Sequence, residues 1–402
     1  MGGWVDGTPY NHPMPFRSHR IPSDLGLNRL ANTRAKLGRI RFDLTTSNPT
    51  ACDFAYPDDL LRDLGDPRGQ RYTPEARGPL AARTAVAAEY RRWGVEVDPG
   101  RLVLTASTSE AYSFLFRLLC DPGDSVLVPA PSYPLFDHLA RLDGIGCETY
   151  PLEADACWRL DMAAVERAPR KVRAVIVVHP NNPTGSFIHP DDRQALVALC
   201  RERHWALIAD EVFLPYPLDG GPGEESTFAE VEDCLCFALG GLSKSLGLPQ
   251  LKLAWIVIGG PDEAVASVSE GLEYVSDAYL SVSTPVALAA PQLLAAAAPL
   301  HDAIGDRCRS NLATLQALVA EHPAVSLPLV GGGWSAVLRV PAVVDEESLC
   351  LRLLEEHSVA VHHGALFAFP NEGWLAFSLL APVGVFTEGA SLMLEMIAET
   401  LD

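Results

Sequence analysis

Between residues 90 and 260, short apolar runs alternate with longer stretches whose apolar positions recur every three or four residues. The runs fall at 102–105, 125–128, 174–178, 206–209, 235–239 and 254–258, without the polar alternation of a half-exposed strand. They predict strands buried on both faces, with helices at 110–119 and 191–203 among those that cover them. Such alternation builds a largely parallel α/β sheet with ligands at its strand ends. Beyond 260 the pattern changes. An alanine-rich helix, a Gly331-Gly332-Gly333 break, a strand through 337–340, a helix through 347–355 and a final helix predict a smaller α+β unit. A chain of 402 residues suits two packed units.

Composition narrows the partners. A formal net charge of −20 repels phosphate backbones and anionic lipid, which disfavours nucleic-acid and membrane partners. The most apolar stretch, 281–300, is broken by Pro285, Pro291 and Gln292 and predicts a soluble helix. The first thirty residues carry Arg17, His19, Arg20 and Asp24 and no apolar core of signal-peptide length, so a cytoplasmic location is expected. Nine scattered cysteines, with no C-x-x-C and no zinc-type spacing, read as reduced thiols and predict no metal site. The Gly- and acid-rich stretch 219–225 reads as a surface loop.

The strongest chemical signal is Gly240-Gly241-Leu242-Ser243-Lys244-Ser245, which follows one strand and precedes another. A lysine held there can trap a carbonyl if enclosure keeps its amine neutral. A loop lysine of no function is the bland alternative. A phosphate-binding P-loop fails, because Ser243 stands where that motif needs glycine. Other motifs keep a consistent order: Thr105-Ala106-Ser107-Thr108-Ser109-Glu110 closes a strand and opens a helix, which presents N–H groups and hydroxyls to an anion or merely caps the helix. Pro129-Ala130-Pro131-Ser132-Tyr133-Pro134, Pro180-Asn181-Asn182-Pro183-Thr184-Gly185 and Asp210-Glu211-Val212-Phe213 each end a strand. Singly, each fits core packing or a turn.

In this order, the motifs resemble the fold-type I pyridoxal-phosphate (PLP) enzymes, the aspartate-aminotransferase-like class I and II family, from about Asp43 to the C-terminus. The resemblance implies a large domain with a mostly parallel, seven-stranded-type sheet and a smaller α+β domain. The expected division is 1–50 as an N-terminal segment packing with the small domain, 51–295 as the PLP-binding domain and 296–402 as the small domain. Lys244 matches the Schiff-base lysine and proton carrier, Asp210 the carboxylate facing the pyridine nitrogen, Asn182 the partner of the 3′-oxygen and Tyr133 the ring that stacks on the cofactor. Ser107, Thr108, Ser109, Ser243 and Lys252 match the phosphate cup, and Tyr72 matches a tyrosine that serves the neighbouring subunit, so a homodimer with shared sites is implied.

Three departures bear on substrate. Lys252 stands where the family usually has arginine, Phe213 where a tyrosine usually donates to the 3′-oxygen, and Ala376 where an arginine usually grips the α-carboxylate. No Arg or Lys follows Arg352, although Arg17, Arg20 or Arg77 folding over the site is an alternative clamp. His362 and His363 read as solvated loop residues, with partial replacement of the clamp as the other reading. The resemblance therefore predicts an aminotransferase for an amine or amino-acid-derived substrate lacking the usual α-carboxylate recognition, with an oxo acceptor. A PLP lyase, decarboxylase or condensing enzyme is the alternative, and a degenerate binding module the non-catalytic one.

Overall fold

The computed structural model describes residues 17–218, 226–296 and 298–401; the insert at 219–225 lies outside them. The chain runs through α1 (Arg29–Leu37), β1 (Phe42–Asp43), α2 (Leu80–Arg92), β2 (Leu102–Thr105), α3 (Thr108–Leu119), β3 (Ser125–Ala130), α4 (Phe136–Asp143), β4 (Gly146–Glu153), β5 (Arg159–Leu160), α5 (Met162–Glu166) and β6 (Val172–Val178). It continues with α6 (Pro190–Arg203), β7 (Ala206–Asp210), β8 (Cys236–Gly241), α7 (Leu242–Ser245), β9 (Ala254–Gly259), α8 (Asp262–Ala278), α9 (Thr284–Ala295) and α10 (Ala298–Ala320). The last elements are β10 (Ser335–Arg339), α11 (Glu346–His357), β11 (Val359–Ala360), β12 (His362–His363), β13 (Trp374–Ser378) and α12 (Val383–Glu399).

The main sheet has the order β2-β9-β8-β7-β6-β3-β4-β5. Strand β9 runs antiparallel to both neighbours, and the two-residue β5 is antiparallel to β4; the other pairs are parallel. A mostly parallel seven-stranded sheet is thus present, with β5 as an added edge. Strands β2, β7, β8 and β9 are buried along their whole length, which is why their sequences are nearly unbroken apolar runs. At β3 the chain steps outward to β4 and then returns on the other side to β6, the kind of reversal that opens a crevice at the carboxyl ends of the strands.

A second sheet, β10-β13-β12, is antiparallel, and β1 pairs in parallel with β11, which attaches Phe42 and Asp43 to the C-terminal layer. The alanine-rich stretch read as one helix is two, with α9 packed on α2 and α10 on α12. Their apolar faces accordingly belong to different cores, Leu293 and Leu294 in the cluster with Tyr90 and Trp255, Ile304 and Leu312 in the cluster with Phe386 and Met393. No described helix is long and apolar enough to cross a membrane.

Candidate active site

The strand ends converge on a cavity of about 400 Å³ lined by Ser107, Thr108, Ser109, Tyr133, Asn182 and Asp210, and also by Phe213, Ser243 and Lys244. Two of the residues singled out by sequence are not brought there. Lys252 sits exposed just after the Pro249–Leu251 turn, and Tyr72 is 64% exposed on the surface. The family resemblance implies phosphate roles for both; within one chain neither lines the cavity.

Lysine placement begins in the backbone. Strand β8 must pass close to β9, and a Cβ on Gly240 would lie 2.5 Å from the Trp255 indole, so glycine is required there. The chain then turns into α7, where the Tyr216 hydroxyl donates to the carbonyls of Lys244 (2.8 Å) and Ser245 (3.1 Å). Lys244 Nζ lies 5.4 Å from the Phe213 ring centre and 5.0 Å from that of Trp334. Burial pulls its pKa down to about 8, against the opposing charge of Asp210. A useful fraction of free amine is therefore present near neutrality, which a carbonyl trap needs.

Asp210 ends β7, buried at 6% exposure. Burial pushes its carboxyl up to about 6, opposed by the Tyr112 hydroxyl, which donates to Oδ2 at 2.9 Å, by the Val212 N–H and by the charge of Lys244. Tyr112, one turn into α3, is a site residue that sequence reading missed. A cationic ring nitrogen in front of Asp210 would favour its ionised form.

At the start of α3 the Ser107 hydroxyl accepts from Glu110 N (3.1 Å) and the Glu110 carboxylate accepts from Ala106 N (2.6 Å). This reciprocal box holds the helix end, and it leaves the N–H groups and hydroxyls of Thr108 and Ser109 for an anion. The turn bearing Asn182 is fixed from the other layer. The Gly185 carbonyl accepts from both Gly331 N and Gly332 N at 2.9 Å, and Ser335 Oγ lies 3.4 Å from Asn182 Oδ1. Two of the three glycines read from sequence only as a break, Gly331 and Gly332, thereby dock the C-terminal layer on the Asn182 turn, while Gly333 N donates to the Tyr216 carbonyl (2.8 Å).

The opposite wall comes from β10, β12 and β13: Trp334, Ser335, Ala376, Phe377, Ser378 and His362. Ala376 faces Val337 on one side and His362 on the other. His362 and His363 are not solvated loop residues, because they form β12 and pair with β13. Burial pulls His362 down to about 4, so it is neutral at physiological pH. Among the cations first considered for carboxylate binding, Arg77 is paired with Glu273 (2.7 Å) and Arg20 donates to the Leu142 carbonyl (3.1 Å). Arg34 donates to Thr45 (2.8 Å) and is paired with Asp43. Lys244 is the sole Lys or Arg among the described residues that line the cavity.

The donor set fits pyridoxal phosphate: a partly neutral lysine amine, a buried carboxylate held by a phenol, an amide, and hydroxyls at a helix start. Trp334, whose indole nitrogen is buried with no hydrogen-bond partner among the described residues, also lines the cavity.

The chain matches the aminotransferase class I and II family over residues 55–383. It is 29% identical over 343 residues to the alanine aminotransferase of Mycobacterium tuberculosis, covering 81% of this chain and 78% of that protein. It is 30% identical over 308 residues to the capreomycidine synthase of Streptomyces vinaceus, covering 76% of each. In structure it resembles an aminotransferase from Escherichia coli with a TM-score of 0.83 over 96% of this chain and 99% of that one; at 22% identity this likeness speaks for the fold.

Proposed function

The chain belongs to the class I and II aminotransferase family and is a PLP-dependent aminotransferase, and from that premise we propose that its amino substrate lacks the usual α-carboxylate recognition. The observation that carries this reading is the neutral wall at Ala376. A carboxylate driven against Ala376, Phe377 and a neutral His362 would lose its water without gaining a cation, at a cost of several kcal/mol. An amine, an amino alcohol or an amino acid with a masked carboxyl meets no such cost and gains from apolar burial. Relatives named as aminotransferases favour amino transfer over the lyase, decarboxylase and condensing alternatives.

When bound, pyridoxal phosphate supplies the electron sink that makes the C–H bond beside the amino group acidic. In this reading Lys244 Nζ anchors the cofactor and then carries the proton taken from that carbon. Asp210, held by Tyr112, would keep a facing ring nitrogen protonated, and Asn182 would donate to the 3′-oxygen. Phe213 cannot add a second donor there. Tyr133 would cover the ring face, while Ser107, Thr108, Ser109 and Ser243 would hold the phosphate. Exposed Tyr72 and Lys252 fit roles at a homodimer interface. Nine free cysteines and an acidic surface suit a cytoplasmic enzyme.

The test is kcat/KM for amines and α-amino acids of matching side chain. Amines are expected to lead by at least ~10-fold, the ratio that about 1.4 kcal/mol of uncompensated desolvation produces. Amino acids turning over better than every carboxylate-free partner would reject the reading.

A further inference from the structure

We infer that a chamber adjoining the reaction cavity receives the body of the amino substrate, so that the enzyme acts on an elongated primary amine with an apolar chain. The inference rests on the amino-transfer reading above and adds the shape of the substrate to it. The inner cavity of about 400 Å³ has to hold the cofactor as well as the reacting carbon. Any larger substrate body must leave it. Past Tyr133, Pro134, His362 and Phe367, residues that line both spaces, it opens into a second chamber of about 720 Å³.

The chemistry of that chamber is specific. Phe136, Leu366 and Phe369 supply apolar wall, and Cys147 and Thr149, two apart on β4, present one strand face to it. Burial pushes the Cys147 thiol up to about 12, so it stays neutral. The junction carries no charge either, since His362 is neutral and Phe367 is apolar. Asp137, exposed on α4, is the sole Asp or Glu among the described residues that line the chamber, where His138 stands beside it. That carboxylate admits a neutral or cationic far end and disfavours an anionic one. The space differs from a bare surface groove because it continues the reaction cavity through four shared side chains.

Two substrate series on the holoenzyme separate this inference from the reading on which it rests: n-alkylamines from propyl to nonyl, and 2-aminoalkanoates of matching length. kcat/KM and the calorimetric Kd are both expected to improve by roughly two- to fourfold per methylene until the chamber is filled, as burial of a chain predicts. Cys147→Trp should flatten that rise and cost nonylamine far more than propylamine, and Thr149→Trp on the same strand face is the second obstruction should the first variant misfold. Wild-type values independent of length in both series would overturn the inference, as would equal losses for propylamine and nonylamine in the tryptophan variants. The preference between the two series at equal length tests the missing carboxylate clamp separately. A rise with length among the aminoalkanoates alone would sustain the chamber while rejecting that clamp argument.

Discussion

The two walls of the cavity differ in kind. The wall built from the ends of β3, β6, β7 and β8 carries a lysine pulled down to about 8 and a carboxylate pushed up to about 6, each by burial and each opposed by the other's charge. The wall built from β10, β12 and β13 carries Ser335, Ala376, Phe377, Ser378 and a neutral His362. One wall stores electrostatic work, and the other offers only shape and neutral hydrogen bonds. The reaction is a property of the first wall, shared by any family member with the same strand ends. In the proposed function the choice of substrate falls to the second, where Ala376 presents no charge to the cavity.

Removing the charged wall's central group has the largest expected effect. Lys244→Ala should fold and should lose turnover by about 10⁴-fold or more, because anchor and proton carrier vanish together. Mass spectrometry of the borohydride-reduced wild type should place the cofactor adduct on Lys244, and an adduct on another lysine would reassign the site. Next comes charging the neutral wall. Ala376→Arg should shift the ratio of kcat/KM toward α-amino acids over matching amines by about 100-fold, the scale of a pair of charge-assisted hydrogen bonds. An unchanged ratio would show that the two walls do not divide the work as described. The smallest effect sharpens the charged wall itself. Tyr112→Phe removes a hydrogen bond that favours ionised Asp210, so the Asp210 pKa should rise above its present value of about 6. The acid limb of the pH–rate profile should then move upward by about one unit, with activity falling about tenfold on the acid side and only about twofold near neutrality. A limb that stays in place would detach Tyr112 from catalysis.

The charged wall was legible in sequence because each motif is local. A glycine pair before Lys244, an acid at a strand end and a hydroxyl run before a helix each have a chemical reason within a few residues. The sheet was legible too, since strands buried on both faces have little choice but unbroken apolar runs. Tyr112 was not, because it occupies the buried face of an amphipathic helix and its carboxylate partner lies 98 residues away. His362 and His363 form a strand of two residues, too short for any periodicity, so only the pairing with β13 removes them from the loop the sequence suggests. The split of the alanine-rich stretch into α9 and α10 was hidden for a related reason: alanine favours helix everywhere, and which core each half joins is settled by tertiary packing. Lys252 and Tyr72 were assigned through the family likeness, and a single chain leaves both outside the cavity.

One buried side chain gives the neutral wall a further property. The Glu346 carboxylate, in the first turn of α11, accepts the N–H groups of Ala365 (2.7 Å), Gly373 (3.1 Å) and Trp374 (3.0 Å), and His363 Nδ1 lies 3.7 Å away. It fastens β12 and β13 to one helix without touching the lysine or the aspartate. The panel proposed to read the substrate is therefore mounted on its own bracket, so side chains facing the cavity can be exchanged while the backbone behind them keeps its place. Such an arrangement is evolvable: ancestry can rewrite Ala376 or His362 in small steps, and the chemistry on the facing wall is left intact at each one.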